Sequence, residues 1–154
     1  MRHKYSATSF LFEAFERTKN INYLHESIHT SRQLLAHRPS KFMRIDITLG
    51  LLTSLHTRSG ISPGHRMQDL QEMVELFPQY LNDGSGWLSL LGRFDFACIW
   101  AVLAQATQHP SISAAYEIAL SFMQDIAAFS PTLQLHHAEA QSTQSTIPRT
   151  LLLP

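Results

Sequence analysis

The chain has 154 residues, of which 44% are apolar and 16% charged, and twelve Lys and Arg side chains balance twelve Asp and Glu. This length suits one domain, the apolar content excludes disorder over the whole chain, and the zero net charge gives no whole-molecule reason to bind nucleic acid or an acidic membrane. The single cysteine, Cys98, excludes an internal disulfide and any multi-cysteine metal site. A reducing compartment, the cytoplasm, is therefore expected, with no signal peptide and no membrane span.

The charges are unevenly distributed along the chain. Residues 1–66 carry ten basic and four acidic side chains, whereas residues 67–154 carry two basic and eight acidic ones. This asymmetry predicts an electrically polar molecule, and one consequence would be head-to-tail self-association between copies of the chain.

Apolar residues recur at intervals of three and four, and alternating strand patterns are scarce, so the sequence predicts an all-α fold. Asn20 is expected to cap the second helix, Pro78 to kink the fourth, and Ser130-Pro131 to start a further helix after the sixth. A polar Gln/Ser/Thr tail over residues 140–154 is predicted to be disordered. The six main predicted helices cover about 7–18, 21–37, 42–58, 66–82, 87–108 and 112–129.

The fifth predicted helix is apolar nearly all round, which predicts that it is the most deeply buried one. The second, fourth and sixth align with each other at a spacing of 46 residues. Such a period indicates a stack of helical hairpins, because each hairpin needs a neighbour to cover its apolar face. The aligned apolar columns, expected to be buried together with Trp100, are Leu24, Leu70 and Tyr116, then Ile28, Val74 and Leu120.

Short motifs around this repeat resemble those of a known family. The segments Phe15-Glu16-Arg17, Leu24-His25-Glu26-Ser27-Ile28 and Arg38-Pro39, and later His109-Pro110-Ser111 and Ser130-Pro131-Thr132, resemble large tetratricopeptide-like (TPR) repeat proteins of basidiomycete fungi over residues 10–139. The resemblance implies a TPR-like α-solenoid over residues 1–139 that acts in protein-protein interaction and has no catalytic role. Many of these proteins continue into a CHAT peptidase domain, whose His/Cys dyad has no counterpart in this chain.

One segment supports an alternative, enzymatic interpretation. His25-Glu26-Ser27-Ile28-His29 matches H-E-x-x-H, in which two histidines one turn apart hold zinc and the glutamate activates a bound water. The alternative function is therefore a small zinc-dependent hydrolase. However, a catalytic zinc needs a third protein ligand, and Arg32 and Leu35 stand where an extended motif would place glycine and histidine. We therefore favour an exposed helix face, with no metal, cofactor or catalytic residue.

The third predicted helix is apolar on two sides, with Leu49 among its apolar positions, and keeps a narrow polar strip that includes Asp46, Gly50, Thr53 and Thr57. Inner helices of a solenoid show this pattern, and their polar strip faces the concave surface that binds extended peptides. The alternative is that the strip meets only water.

Basic residues are concentrated in the same part of the chain, at Arg17, Lys19, Arg32, Arg38, Lys41 and Arg44. They favour an acidic peptide, or one with a free C-terminal carboxylate. The sequence thus predicts a protein or peptide partner that is bound by Asp46, Thr53, Thr57, Arg17 and Arg44.

Overall fold

A computed structural model gives the fold and describes the backbone of residues 2–129 and the side chains from Thr8 to Phe129. This part of the chain contains helices and turns and no strand, which confirms the predicted all-α class. The predicted helix at Ser130-Pro131 and the predicted disordered tail lie outside the described residues. The helices are α1 (Arg2–Thr18), α2 (Ile21–Ala36), α3 (Lys41–Ile61), α4 (Arg66–Asp83), α5 (Leu90–Ala106) and α6 (Ile112–Ala128).

Local side-chain chemistry sets several helix ends. Asn20 caps α2 as predicted, because its side-chain oxygen accepts a hydrogen bond of 3.0 Å from the backbone N–H of Asn22. Ser89 caps α5 in the same way by accepting from the backbone N–H of Gly92 at 3.0 Å. The fifth helix therefore begins at Leu90, and Trp87, predicted as its first residue, precedes it.

The chain divides into two compact units, one comprising residues up to Gly84 and the other beginning at Ser85. In the first unit, α1 packs against α2, α2 against α3, and α3 against α4, while α1 also touches α3. In the second unit, α5 packs against α6. None of the described helices is long and apolar enough to cross a membrane.

Burial in α2 and α4 follows the same register. The five buried residues of α2 each have a buried counterpart in α4 at the 46-residue spacing, so the two helices present equivalent faces to their neighbours. The matched pairs are Leu24 with Leu70, Ser27 with Met73, Ile28 with Val74, Ser31 with Phe77, and Leu34 with Tyr80.

The register predicted for α6 is wrong by one residue. Tyr116 and Leu120 are 45% and 52% exposed, whereas Ala115 and Ala119 are 0% and 8% exposed. The small alanines face the interior of the second unit, whose largest buried side chain is Trp100 at 1% exposure. Small residues leave room for a bulky one in a packed core, so the alanine face is the one turned inward.

The prediction that the fifth helix is the most deeply buried is also wrong. In α5 only Ala97, Trp100, Ala101 and Ala104 are buried, whereas α3 and α4 each have eight buried residues. A hairpin of two helices covers one side of each helix, whereas α3 has three neighbours within its unit. The composition of a helix therefore predicts its burial less well than the number of neighbours it has.

Candidate functional site

One face of α3 is open along the length of the helix. Its exposed and half-buried positions on this face recur every three or four residues, so that they form a single stripe. The buried residues of α3 lie on the opposite side, where the helix packs against its neighbours. We call the open stripe the α3 strip; it comprises Phe42, Asp46, Leu49, Gly50, Thr53, His56, Thr57 and Gly60.

The structure brings three of the predicted site residues onto this strip. Asp46 and Thr53 are exposed, and Thr57 is half-buried. The sequence placed Leu49 on the packed side of the helix, and this prediction is wrong: Leu49 is 39% exposed and lies between Asp46 and Thr53 on the strip. Phe42, at the start of the strip, is 60% exposed. The strip is thus more apolar than the sequence predicted.

The polar groups of the strip are partly used within α3 itself. The Thr53 hydroxyl donates to the backbone carbonyl of Leu49 at 2.8 Å, and the Thr57 hydroxyl donates to that of Thr53 at 2.9 Å. These oxygens can therefore offer a partner their lone pairs but not their protons. At Gly50 an added Cβ would have no neighbouring atom within 4 Å, so another chain can approach the backbone closely there.

Asp46 is the only carboxylate on the α3 strip and forms no ion pair within the described part of the chain. The predicted site residue Arg44 behaves differently. Its Nε and Nη2 donate to the carboxylate of Asp83 at 2.7 and 2.9 Å, joining the start of α3 to the end of α4. This hydrogen bonding raises the pKa of Arg44 and lowers the pKa of Asp83. Arg17 is exposed on α1.

Ion pairs inside the first unit neutralise several of the basic side chains that make the first part of the sequence positive. Arg32 donates from Nε to Glu72 at 2.9 Å and makes a second, shorter contact from Nη2. Arg32 and Arg44, two of the six predicted basic residues, are therefore already bound to carboxylates. Residues up to Gly84 contain ten basic and eight acidic side chains, a net charge of +2, whereas residues 1–66 alone have +6.

A second polar group of residues lies where α2 meets the turn between α3 and α4. Arg58 of α3 donates from Nε and Nη2 to Asp69 of α4 at 2.9 and 2.6 Å, and their side chains are only 7% and 0% exposed. The remaining guanidinium nitrogen, Nη1, lies 3.0 Å from Nδ1 of His25 on α2. We call these three residues, with the adjacent His65 and Ser62, the inter-hairpin cluster.

This geometry defines the protonation of His25. A guanidinium can only donate hydrogen bonds, so Nδ1 of His25 accepts, and the ring is neutral with its proton on Nε2. Burial, then the charge of Arg58 and the neighbouring His65, lowers the pKa of His25 below its ordinary 6.5. The His65 ring centroid lies 5.2 Å from that of His25, and its Nδ1 is 2.8 Å from the Ser62 hydroxyl.

In this arrangement the three residues of the H-E-x-x-H motif do not share one environment. His25 faces Arg58, whereas Glu26 and His29 are exposed. A guanidinium 3.0 Å from one of the two histidines repels a divalent cation at that position. Among the described side chains, from Thr8 to Phe129, no group of three or more His, Cys, Asp or Glu residues has the geometry to hold a metal ion.

The thiol of Cys98 is half-buried, and burial followed by the charge of Asp95 raises its pKa. This disfavours the nucleophilic thiolate form.

Sequence reasoning missed Arg58, Asp69 and His65. A signal was present: Arg58 and Asp69 are opposite charges on either side of the short Ser62-Pro63-Gly64 turn, and each occupies a position that continues an apolar stripe. A charged residue on the inner face of a helix needs a partner, and the first turn of the next helix is the nearest place for one.

Comparisons of the chain with protein-family models, with curated proteins and with solved structures found no match. The TPR-like resemblance therefore rests on the sequence motifs alone.

Proposed function

We propose that this chain is a non-catalytic, cytoplasmic helical-repeat module of the TPR-like kind that binds a segment of another protein. Two observations support the repeat architecture. The first unit has the neighbour order of two stacked hairpins, with α3 touching both α1 and α2, and the buried positions of α2 recur in α4 at the 46-residue spacing. A solenoid needs such stacking because one hairpin cannot cover its own apolar face.

The α3 strip is the observation on which the binding role depends. A helix that packs on three neighbours and still has Leu49 39% exposed in the middle of the strip offers apolar surface to a partner. Asp46 lies one turn before Leu49 on the strip, and it forms no ion pair within the described chain. A protein segment that places a Lys or Arg beside an apolar side chain is therefore complementary to Asp46 and Leu49 of the strip.

This proposal changes the partner expected from the sequence. An acidic peptide was favoured by the basic residues of the first helices, but Arg32 and Arg44 are held by Glu72 and Asp83. Of the predicted site residues, we retain Asp46 and Thr53 as contacts and Thr57 as a flanking group. We assign Arg44 to the fold and give Arg17 no role at the strip.

Gly50 offers a test that does not endanger the fold. Gly50→Leu places a bulky side chain in the middle of the strip, where an added Cβ meets no other atom, and replacing an interior helix glycine stabilises a helix. Peptides would be selected from a random dodecamer display library on the wild-type protein and measured by calorimetry. We expect Gly50→Leu to weaken the selected peptide at least tenfold without lowering the melting temperature.

Gln71→Leu, on the exposed face of α4, is the matched control and should bind as the wild type does. Asp46→Asn should weaken peptides with a central Lys or Arg and leave neutral ones unchanged. Selection of acidic peptides, or equal affinity in Gly50→Leu and Gln71→Leu, would contradict the proposed use of the strip.

A further inference from the structure

Three polar contacts join α2 to the hairpin formed by α3 and α4. Ser27 and Ser54 share a buried hydrogen bond of 3.2 Å, Arg32 pairs with Glu72, and His25 accepts from Arg58. Hydroxyl groups do not titrate near neutral pH, and a guanidinium keeps its charge in proteins. Histidine is the side chain whose ordinary titration falls in this range, so the His25 contact is the one that mild acid would change.

We propose that His25 is an acid-sensitive latch, which holds the α1–α2 hairpin on the α3–α4 hairpin while its ring is neutral and loosens it when the ring is protonated.

The surroundings of His25 determine the direction of this effect. The groups that act on its ring are Arg58 from α3, His65 from the turn and Asp69 from α4. On protonation, Nδ1 becomes a donor that faces the donor Nη1 of Arg58, so their hydrogen bond is lost and two cations face each other. Arg58 cannot easily turn away, because Asp69 holds it through two hydrogen bonds.

Two neighbours act differently on an imidazolium at this position. The charge of Asp69 favours the protonated ring, but it is the weakest of the four influences on His25, and its carboxylate is already bound to Arg58. His65, whose ring centroid lies 5.2 Å from that of His25, acts in the opposite direction and lowers the pKa of His25. On α2 itself, Glu26 and His29 are exposed to water, where charge interactions are screened.

The lowered pKa of His25 agrees with this direction. The fold favours the neutral ring, so the unfolded chain binds the proton more tightly than the folded one. Above pH 6.5, the ordinary pKa of histidine, His25 therefore makes its full contribution to the free energy of unfolding. That contribution is lost as the pH falls from 6.5 toward the lower pKa of His25 in the folded protein.

His25→Asn is the decisive variant, because the asparagine side-chain oxygen can replace Nδ1 as an acceptor for Arg58 but does not titrate. His29→Asn, one turn later and exposed, is the matched control on the same helix. Melting temperatures would be measured by circular dichroism between pH 7.5 and 5.0. Over this pH range we expect the melting temperatures of the wild type and of His29→Asn to fall by about 3 °C or more beyond the fall in His25→Asn. Parallel pH profiles for all three proteins would overturn the proposal.

Hydrogen exchange, corrected for its intrinsic pH dependence, locates the change. At pH 5.5 the amides of α1 and α2 should lose protection relative to those of α3 and α4 in the wild type but not in His25→Asn. Uniform loss over all four helices would show general acid destabilisation and contradict a latch. If His25→Asn does not fold, NMR titration of the wild-type His25 ring decides the question: titration at or above 6.5 overturns the proposal.

Discussion

Arg58 and Asp69 face each other across the turn between α3 and α4, with both guanidinium-to-carboxylate hydrogen bonds formed and almost no exposure to water. Removing one partner of such a pair leaves an uncompensated buried charge. We expect Asp69→Ala to lower the free energy of unfolding by about 3–5 kcal/mol, measured by urea denaturation with far-ultraviolet circular dichroism.

Two comparisons separate charge burial from simple contact loss. The double variant Arg58→Met with Asp69→Leu should lose much less than Asp69→Ala, because no charge remains buried. Glu72→Ala breaks the more exposed pair with Arg32 and should cost about 1 kcal/mol or less. Equal losses in Glu72→Ala and Asp69→Ala would mean that burial does not govern the energetics of these pairs.

Trp100 is the largest buried side chain of the second unit, at 1% exposure, and its indole N–H donates to the Ser111 hydroxyl at 3.1 Å. Trp100→Ala should cost about 3–5 kcal/mol, since it removes a large buried side chain and leaves a cavity. The remaining Trp87 lies in the same unit and reports its unfolding by fluorescence. Leu91→Ala, at a position 63% exposed on α5, should change stability by about 0.5 kcal/mol or less.

The corrected register of α6 predicts opposite outcomes at two adjacent positions. Ala119 is 8% exposed, so Ala119→Leu should overpack the interior and cost about 1–3 kcal/mol. Leu120 is 52% exposed, so Leu120→Ala should change the free energy of unfolding by about 0.5 kcal/mol or less. The reverse result in thermal or urea unfolding would restore the 46-residue register for this helix.

The purified protein should carry no stoichiometric zinc. The guanidinium of Arg58 lies against His25 of the H-E-x-x-H segment, which disfavours a dication there. Elemental analysis after tag removal measures this directly. About one zinc per chain in the wild type, lost in His29→Ala, would promote the alternative of a small zinc-dependent hydrolase.

The charge asymmetry of the sequence suggested head-to-tail self-association, but the charges of the first unit argue for a monomer. The first unit extends to Gly84 and has a net charge of only +2, compared with +6 for residues 1–66, so we expect the protein to be monomeric at physiological salt. Sedimentation velocity at low and high salt checks this, and a dimer that persists at both salt concentrations would contradict it.

The sequence predicted most of the fold because its helix signals are local. The cap at Asn20 and the apolar period of α2 and α4 involve residues within a few positions of one another, and the structure agrees with both. The register of α6 could not be predicted in the same way. Its alanine face and its bulkier face are both apolar, and only the shape of the neighbouring helix decides between them.

The inter-hairpin cluster could not be predicted from the sequence either, because its residues are brought together by the fold. His25 and Arg58 are 33 residues apart, and no local pattern in the sequence pairs them. The H-E-x-x-H match drew attention to His25 for a different reason. On α3 the polar strip could be predicted from Asp46 and Thr53, but the exposure of Leu49 depends on how many neighbours cover the helix.

The sequence separation of the polar contacts also bears on the order of folding. Arg58 and Asp69 are eleven residues apart, whereas the contacts that attach α2 span from 27 to 40 residues. Closing a short loop costs less chain entropy than closing a long one, so the end of the α3–α4 hairpin at its turn can form before α2 arrives. We expect the α3–α4 hairpin to be the template on which the α1–α2 hairpin docks late.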